Sequence, residues 1–318
     1  MQINKSNAVN TIAKKPSYFT RLKKDYKQNK YLYFMLIPVV AYFLIFYYQP
    51  MYGVQIAFKN YSFKYGIWGS PWVGLKHFKG FFDSYYFFRL LRNTLTLSLN
   101  DLVWGFPAPI LLALLINEIR NNSFKRIVQS VTYLPHFISL IVVCGMLKDF
   151  FSLNGLVNNI IQQFGGEPIQ FFIKADMFMP IYVGSNVWQQ LGWGTIIYLS
   201  ALTGIDPELY EAARMDGANK FRQIINITLP GIMSTIIILF ILRTGKILTV
   251  GSEKVLLLYN PTIYEKADVI STFVYRKGLE ESNYSYAATV GLFNSVINFI
   301  LLIAVNNLSK KYTENSLW

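Results

Sequence analysis

Charged residues are scarce in this sequence. Asp, Glu, Lys and Arg make up 15% of its 318 residues, whereas apolar residues make up 53%. A soluble domain carries about 25% charged residues. Acidic residues are the scarcer kind, 17 against 30 basic ones, yet the basic residues border long apolar blocks and do not form the dense stripe typical of nucleic-acid binding. The composition therefore indicates a membrane protein and argues against a nucleic-acid partner.

Cysteine and histidine are almost absent. Cys144 is the only cysteine and lies within an apolar block, which excludes an intrachain disulfide and a cysteine-based metal centre. His77 and His136 have no helix-spaced partner, so we interpret each as a loop or interfacial residue. No paired carboxylates and no Ser/His arrangement point to catalysis. The sequence thus predicts neither a metal site nor catalytic residues.

The phosphate-binding loop G-x-x-x-x-G-K-[ST] is also missing. Its nearest approximation is Gly245-Lys246, which is followed by Ile247 and has Phe240 in place of the first glycine. We therefore expect that this chain is not an enzyme and holds no cofactor. Any ATP-driven step would therefore need a separate ATPase subunit that binds ATP and Mg.

Six long apolar segments are what the sequence does contain. Each is close to the 20 or so residues that cross a bilayer core of about 30 Å. They predict an all-α membrane protein with spans at 31–50, 93–117, 127–148, 179–203, 229–248 and 287–308. The predicted domains are a basic tail at 1–30, a transmembrane domain at 31–308 and a C-terminal tail at 309–318. The first tail has no signal-peptide core, so we expect the first span to remain as an anchor.

Basic residues predict the orientation of these spans. The first tail holds eight of them, and the short second loop holds Arg120, Lys125 and Arg126. Because Lys and Arg near spans concentrate on the cytoplasmic side, both termini are expected in the cytoplasm and loops one, three and five outside. The first outer loop is rich in Tyr, Phe and Trp, which fits either an interfacial belt or a docking surface for an external protein.

The fourth loop, 204–230, carries the strongest local signals. Asp206 is a good helix N-cap, and Pro207 suits the first helical position. Gly217 can end this short helix in the left-handed conformation. A second short helix should follow before Pro230 opens the fifth span. We predict a compact elbow of two helices that could seat in a groove of a partner protein.

This loop resembles a known family. Three stretches match the EAA loop of binding-protein-dependent ABC importer permeases in residue type and spacing: Glu211-Ala212-Ala213, Asp216-Gly217-Ala218 and Ile227-Thr228-Leu229-Pro230. Three others resemble the family branch for polysaccharide and complex carbohydrate uptake: residues 50–58, Leu91-Arg92-Asn93-Thr94 and Tyr133-Leu134-Pro135-His136-Phe137. Ser234 departs from the family, in which many relatives have proline soon after Leu-Pro.

The resemblance implies a type I importer permease with a cytoplasmic coupling helix between spans four and five. Such a permease would lie in a bacterial cell membrane. Its partners would be a second, homologous permease, two ATPase subunits, an extracellular solute-binding protein and a carbohydrate, most often an oligosaccharide. In this family the EAA loop docks on the ATPase. By resemblance, the ATPase-coupling residues here are Glu211, Ala212, Ala213, Asp216 and Gly217.

Polar residues within the spans are the candidates for a substrate path. They are Asn186, Gln189, Gln190 and Trp193 in the fourth span and Asn294 and Asn298 in the sixth. Polar side chains in a membrane usually face the bundle interior, where they bind solute or hold helices together, and both roles stay open here. Trp193 beside Gln189 and Gln190 offers an apolar face with amide donors and acceptors, which suits a sugar.

An ion-coupled secondary transporter of a small solute is the main alternative. Such a transporter favours buried carboxylates and inverted repeats. Asp101 is nearly the only carboxylate within the predicted spans, and no internal repeat is visible. A membrane-embedded enzyme is disfavoured because catalytic pairs are missing.

Overall fold

The protein is described by a computed structural model that covers residues 25–249 and 251–313. The predicted tails 1–30 and 309–318 therefore lie partly outside the described residues. All regular elements within these ranges are helical, and the only strand-like pairing there is an isolated bridge between Lys59 and Trp72. The predicted all-α class is confirmed.

The main helices follow one another along the chain with short connections. They are α1 Lys30–Phe43, α2 Lys76–Phe82, α3 Tyr86–Gly105, α4 Pro107–Glu118, α5 Asn122–Tyr133, α6 Leu140–Phe150, α7 Leu156–Gln163, α8 Ala175–Leu202, α9 Pro207–Met215, α10 Lys220–Gln223, α11 Met233–Thr244, α12 Ser252–Leu258, α13 Ile270–Tyr275 and α14 Tyr284–Thr313. Four more segments are short α-helices: Gln49–Met51, Gly66–Gly69, Leu229–Gly231 and Tyr264–Ala267. The 3₁₀ segments are Tyr52–Phe58, Leu134–Phe137 and Pro261–Ile263, and the π segments are Leu44–Tyr48, Ile224–Thr228 and Arg276–Glu280.

Three helical stretches of the described chain are long and apolar enough to cross a bilayer: Lys30–Phe58, Tyr86–Glu118 and Tyr284–Lys311. Two bent pairs of helices raise the number to five if each pair is one span. The predicted fourth span corresponds to α8. At 28 residues this helix is long enough to cross a bilayer, but it is not apolar enough to count among the candidate spans. Its polar residues, among them Asn186, Gln189 and Gln190, lower its hydropathy. The count of six spans remains a prediction.

Two predicted spans are bent, which the sequence-based limits did not anticipate. The segment Asn122–Phe137 meets α6 at 97°. Pro135 lacks an N–H there, and Ser139 caps the new helix by accepting a hydrogen bond from the Val142 N–H. The predicted fifth span begins upstream of Pro230, and Lys220–Gly231 meets α11 at 61°.

The described residues fall into two compact units, with the boundary between Gln55 and Ile56. In the first unit, α1 is apolar around its whole circumference and has no buried residue. A helix of this kind is stable only where lipid or another protein covers its apolar surface.

In the second unit, α8 is the central helix and packs against α3, α4 and α5. The packing against the end of α5 is very close: a Cβ atom at Gly192 would lie 2.0 Å from the Thr132 carbonyl oxygen. One apolar core surrounds the N-terminal half of α8 and includes Phe178 and Val183. A second core joins the C-terminal half of α8 to α4 and Ile232. This packing fixes the position of the polar residues between the two halves.

A buried carboxylate anchors the segment after α12 to α3. Asp268 is fully buried, and its Oδ2 pairs with Arg276 Nη2 at 2.7 Å and with Arg89 Nη2 at 3.4 Å. The Thr272 hydroxyl donates to Asp268 Oδ1 at 2.9 Å. Asn93 of α3 donates to the backbone carbonyl of Asp268 at 3.0 Å. One carboxylate thus pairs with two arginines and joins three parts of the chain.

Candidate functional site

A polar cleft lies between α3, α8 and α11. It has a volume of about 660 Å³. An adjoining recess of about 450 Å³ shares part of its lining, including Tyr182, Asn186 and Gln190. The recess is further lined by His136, Gln189, Glu253 and Lys254. Three of the predicted substrate-path residues, Asn186, Gln189 and Gln190, therefore share one continuous wall.

An ion pair forms the floor of this cleft. Arg243 Nη2 lies 2.8 Å from Asp101 Oδ2, and Asn186 donates to Asp101 Oδ1 at 2.5 Å. Arg243 also donates to the carbonyls of Asp101 and Gly105. A Cβ atom at position 105 would lie 2.6 Å from Arg243 Nη2, so any larger residue there would displace the guanidinium group. Sequence reasoning treated Asp101 as isolated and missed this partner, although a lone arginine within the apolar α11 was a usable signal.

A stacked aromatic pair stands at the edge of the recess. The rings of Trp193 and His136 are parallel, with centroids 4.4 Å apart, and His136 Nδ1 lies 3.1 Å from Gln190 Oε1. Trp193 remains 46% exposed. The sequence pattern indicates only a loop or interfacial role for His136, but the residue lines the recess and orients both neighbours. An exposed indole beside an amide can contact the apolar face of a sugar and bond its hydroxyls.

The other predicted path residues lie apart or support the wall. Gln189 is buried and donates to the Ile138 carbonyl at 3.3 Å. Asn298 accepts from the Leu248 N–H and donates to the Thr249 hydroxyl, so it holds the loop that borders the cleft. Asn294 does not line the cleft, and its buried Oδ1 has no hydrogen-bond partner among the described residues. The two asparagines of α14 are thus not brought together with the residues of α8.

The elbow predicted in the fourth loop is present. Asp206 Oδ1 accepts from the Glu208 N–H at 2.9 Å, which caps α9. At the other end, Gly217 has φ +75°. The N–H groups of Gly217 and Ala218 donate to the carbonyls of Arg214 and Ala213, which is the Schellman arrangement. The local predictions for these residues are confirmed.

The elbow is tied to the rest of the second unit at its base. Lys220 Nζ lies 2.7 Å from Glu118 Oε2 at the end of α4. The Tyr210 hydroxyl lies 3.0 Å from Thr228 Oγ1, so α9 is bonded to the segment that leads into α11. The elbow is therefore bonded both to α4 and to the segment that leads into α11.

The outer side of the elbow is free of contacts within the described chain that would bury it. Glu211, Ala212, Asp216 and Gly217 are exposed, and Ala213 is half-buried. Three large apolar side chains are exposed as well: Leu209, Met215 and Phe221, with Met215 at 89%. Exposed apolar side chains of this size are common in protein–protein interfaces. Sequence reasoning missed Met215, which directly precedes the Asp216-Gly217-Ala218 match.

The helical bundle with a capped elbow and a polar cleft defines a transport permease. Residues 105–314 match the family described as "Binding-protein-dependent transport system inner membrane component". The chain belongs to this family and is a multi-pass membrane protein.

Individual relatives cover nearly the whole chain. The "Polygalacturonan/rhamnogalacturonan transport system permease protein YteP" of Bacillus subtilis (strain 168) is 45% identical over 98% of this chain and 97% of its own length. A crystal structure of "a bacterial ABC transporter involved in the import of the acidic polysaccharide alginate" contains a chain 45% identical, with TM-score 0.86 over 92% of this chain and 99% of that one. A structure of the alginate transporter "in complex with alginate pentasaccharide-bound periplasmic protein" gives 44% identity and TM-score 0.87, covering 93% and 100%.

Proposed function

We propose that this chain is a transmembrane permease subunit of an ABC importer that moves oligosaccharides into the cytoplasm by alternating access. The observation that carries this proposal is the likeness, along nearly the whole chain, to one chain of the alginate ABC transporter. The name of YteP supports a saccharide substrate. The exposed indole and amides beside the cleft are chemically suited to one.

The proposed partners follow from the same likeness. They are a second permease, two ATPase subunits that bind and hydrolyse ATP with Mg, and an extracellular solute-binding protein. A periplasmic protein carrying a pentasaccharide occurs in the alginate complex, which supports the last of these. Hydrolysis on a separate subunit agrees with the missing phosphate loop.

We assign the coupling role to Glu211, Ala212, Ala213, Asp216 and Gly217. Their exposed surface would seat in the ATPase, while the bonds from Lys220 and Tyr210 would pass its motion to α4 and α11. This is rigid-body switching between two states of the bundle, each favoured by a different ligand.

A reconstitution experiment tests the function. The complex in proteoliposomes is given its binding protein and a panel of oligosaccharides, and ATPase activity and uptake are measured. We expect at least one oligosaccharide to stimulate ATP hydrolysis and to enter only when ATP is present. Uptake that persists without ATP and stops with an ionophore would favour the ion-coupled transporter instead.

Orientation can be tested with single cysteines at two exposed positions, Ser123 in the second loop and Ser282 in the fifth. With both termini in the cytoplasm, Ser123→Cys should resist an impermeant thiol reagent in intact cells, and Ser282→Cys should react. The native Cys144 is buried and should add little background. The reverse labelling pattern would refute the proposed topology.

The substrate path can be tested on α8. Gln190→Ala and Trp193→Ala should each lower uptake several-fold, since losing a hydrogen bond or an aromatic contact removes on the order of 1 kcal/mol. Trp188→Ala is the matched control, because Trp188 is similarly exposed but lines a separate apolar pocket. Co-purification of the ATPase shows whether each variant assembles. Normal uptake by both cleft variants would mean that the cluster is structural.

A further inference from the structure

Lys254 is a buried lysine that forms no hydrogen bond or ion pair within the part of the chain that the structure describes. It lies in α12, is 3% exposed and lines the recess of the cleft. Its Nζ has no hydrogen-bond acceptor among the described residues. Its Nζ makes a cation–π contact with the ring of Tyr182, whose centroid is 5.4 Å away. A buried ammonium without an acceptor is costly, so its presence calls for an explanation.

The carboxylates of the cleft do not neutralise this lysine. Asp101 is already paired with Arg243 and bonded by Asn186. Glu253 lies in the same recess but forms no ion pair with Lys254, and no other described carboxylate lies within 4.0 Å of Nζ. Burial lowers the pKa of Lys254 to about 8, because removal from water disfavours the charged amine, and the charge of Asp101 offsets only part of this effect.

The charges lining the cleft and recess have a positive surplus. Arg243, Lys246 and Lys254 face two carboxylates, Asp101 and Glu253. The pairing of Arg243 with Asp101 leaves the two lysines against a single glutamate. The space beside the amide and indole side chains of α8 therefore favours an anionic ligand over a neutral one.

We propose that Lys254 binds the carboxylate of an anionic saccharide, so that the cleft selects uronate-containing oligosaccharides. This inference rests on the proposed function. The unbranched lysine side chain can turn its Nζ from the Tyr182 ring toward a carboxylate in the recess. A charge-assisted hydrogen bond formed there supplies an acceptor that the described residues do not provide. Lys254 is thus a specificity-determining residue for the cargo.

The test compares uronate trisaccharides with neutral ones of the same stereochemistry. Trigalacturonate is paired with galactotriose, and trimannuronate with mannotriose, so that each pair differs by a carboxylate in place of a hydroxymethyl group. Uptake is measured in proteoliposomes that contain the complete complex with its binding protein. The variants are Lys254→Met, which removes the charge, and Lys254→Arg, which keeps it. Lys148→Met, on the exposed face of α6, is the control.

We expect the wild type to import a uronate trisaccharide. The ratio of uronate to neutral uptake should fall at least about tenfold in Lys254→Met, the usual effect of losing a hydrogen bond between charged groups. Lys254→Arg should retain most of this ratio, and Lys148→Met should leave it unchanged.

Three results would overturn the inference. In the first, the wild type imports the neutral trisaccharides but not the uronate ones. In the second, the ratio of uronate to neutral uptake is unchanged in Lys254→Met. In the third, that variant loses uptake of both kinds of trisaccharide equally. The last result would mean that Lys254 is structural, for example paired with an acidic residue of another subunit. In each of these cases the proposed saccharide import still stands. A wild-type complex that imports no saccharide at all would instead refute the proposed function.

Discussion

Replacing Gly217 with valine is expected to abolish coupled transport while leaving the protein in the membrane. Gly217 has φ +75°, a conformation that costs an L-residue about 1–2 kcal/mol and a β-branched residue more. No atom lies within 4 Å of an added Cβ atom, so the penalty comes from the backbone alone. The chain should relieve it by opening the Schellman bonds, which would displace the surface that we assign to the ATPase.

Gly217→Asn is the matched control, because asparagine tolerates the left-handed region better than other residues with a side chain. It should keep a substantial part of the transport activity that is lost in Gly217→Val.

Glu211→Lys tests the same surface by charge, since Glu211 is exposed and only loosely paired with Arg214 at 4.0 Å. In both Gly217→Val and Glu211→Lys, the ATPase should no longer co-purify and the rate of uptake should fall at least about tenfold. Sugar binding by the external protein should stay normal. Normal uptake and ATPase retention in both variants would exclude this loop as the coupling element.

Asp268→Ala is expected to destabilise the protein strongly. It removes the counter-ion of Arg276 and Arg89 and leaves two partly buried guanidinium groups close together. Breaking a buried pair in this way costs about 3–5 kcal/mol of unfolding free energy. We expect a clear fall in the midpoint temperature of thermal unfolding. It is measured by tryptophan fluorescence on the purified complex in detergent.

Asp176→Ala is the control for this prediction. Asp176 is also paired with a basic residue, Lys266, but its side chain is 77% exposed. Exposed ion pairs contribute about 0–1 kcal/mol, so the midpoint of this variant should change little. Equal midpoints for the two variants would show that the Asp268 network does not hold the segment after α12 to α3.

Several features could be predicted from the sequence because they depend on neighbouring residues. The Asp206 cap contacts an N–H two residues away, and Gly217 ends α9 through bonds spanning at most five residues. Apolar length likewise predicted long helices near the first, second and sixth spans. The bends were harder to predict, because a proline such as Pro135 marks a break in a helix but does not determine its angle.

The sequence predicted the polar residues of α8 that line the cleft, but not the residues with which they pair. Asn186 and Gln190 were candidates because they are polar residues in a membrane helix, and their position on α8 brings them together. Their partners come from distant parts of the chain: Arg243 lies 142 residues from Asp101, and Gln190 lies 54 residues from His136. Nothing in the local sequence distinguishes these pairs from polar residues that merely hold helices together.

The sequence by itself determined the membrane class, the elbow and the family resemblance, since apolar length, helix caps and short motifs are properties of contiguous residues. Only the tertiary structure decided that Asp101 is neutralised by Arg243, that His136 lines the recess and that Lys254 is buried with no acceptor among the described residues. Burial and charge pairing depend on which helices pack together. That packing is set by contacts between residues far apart in the chain, such as the approach of Gly192 to Thr132.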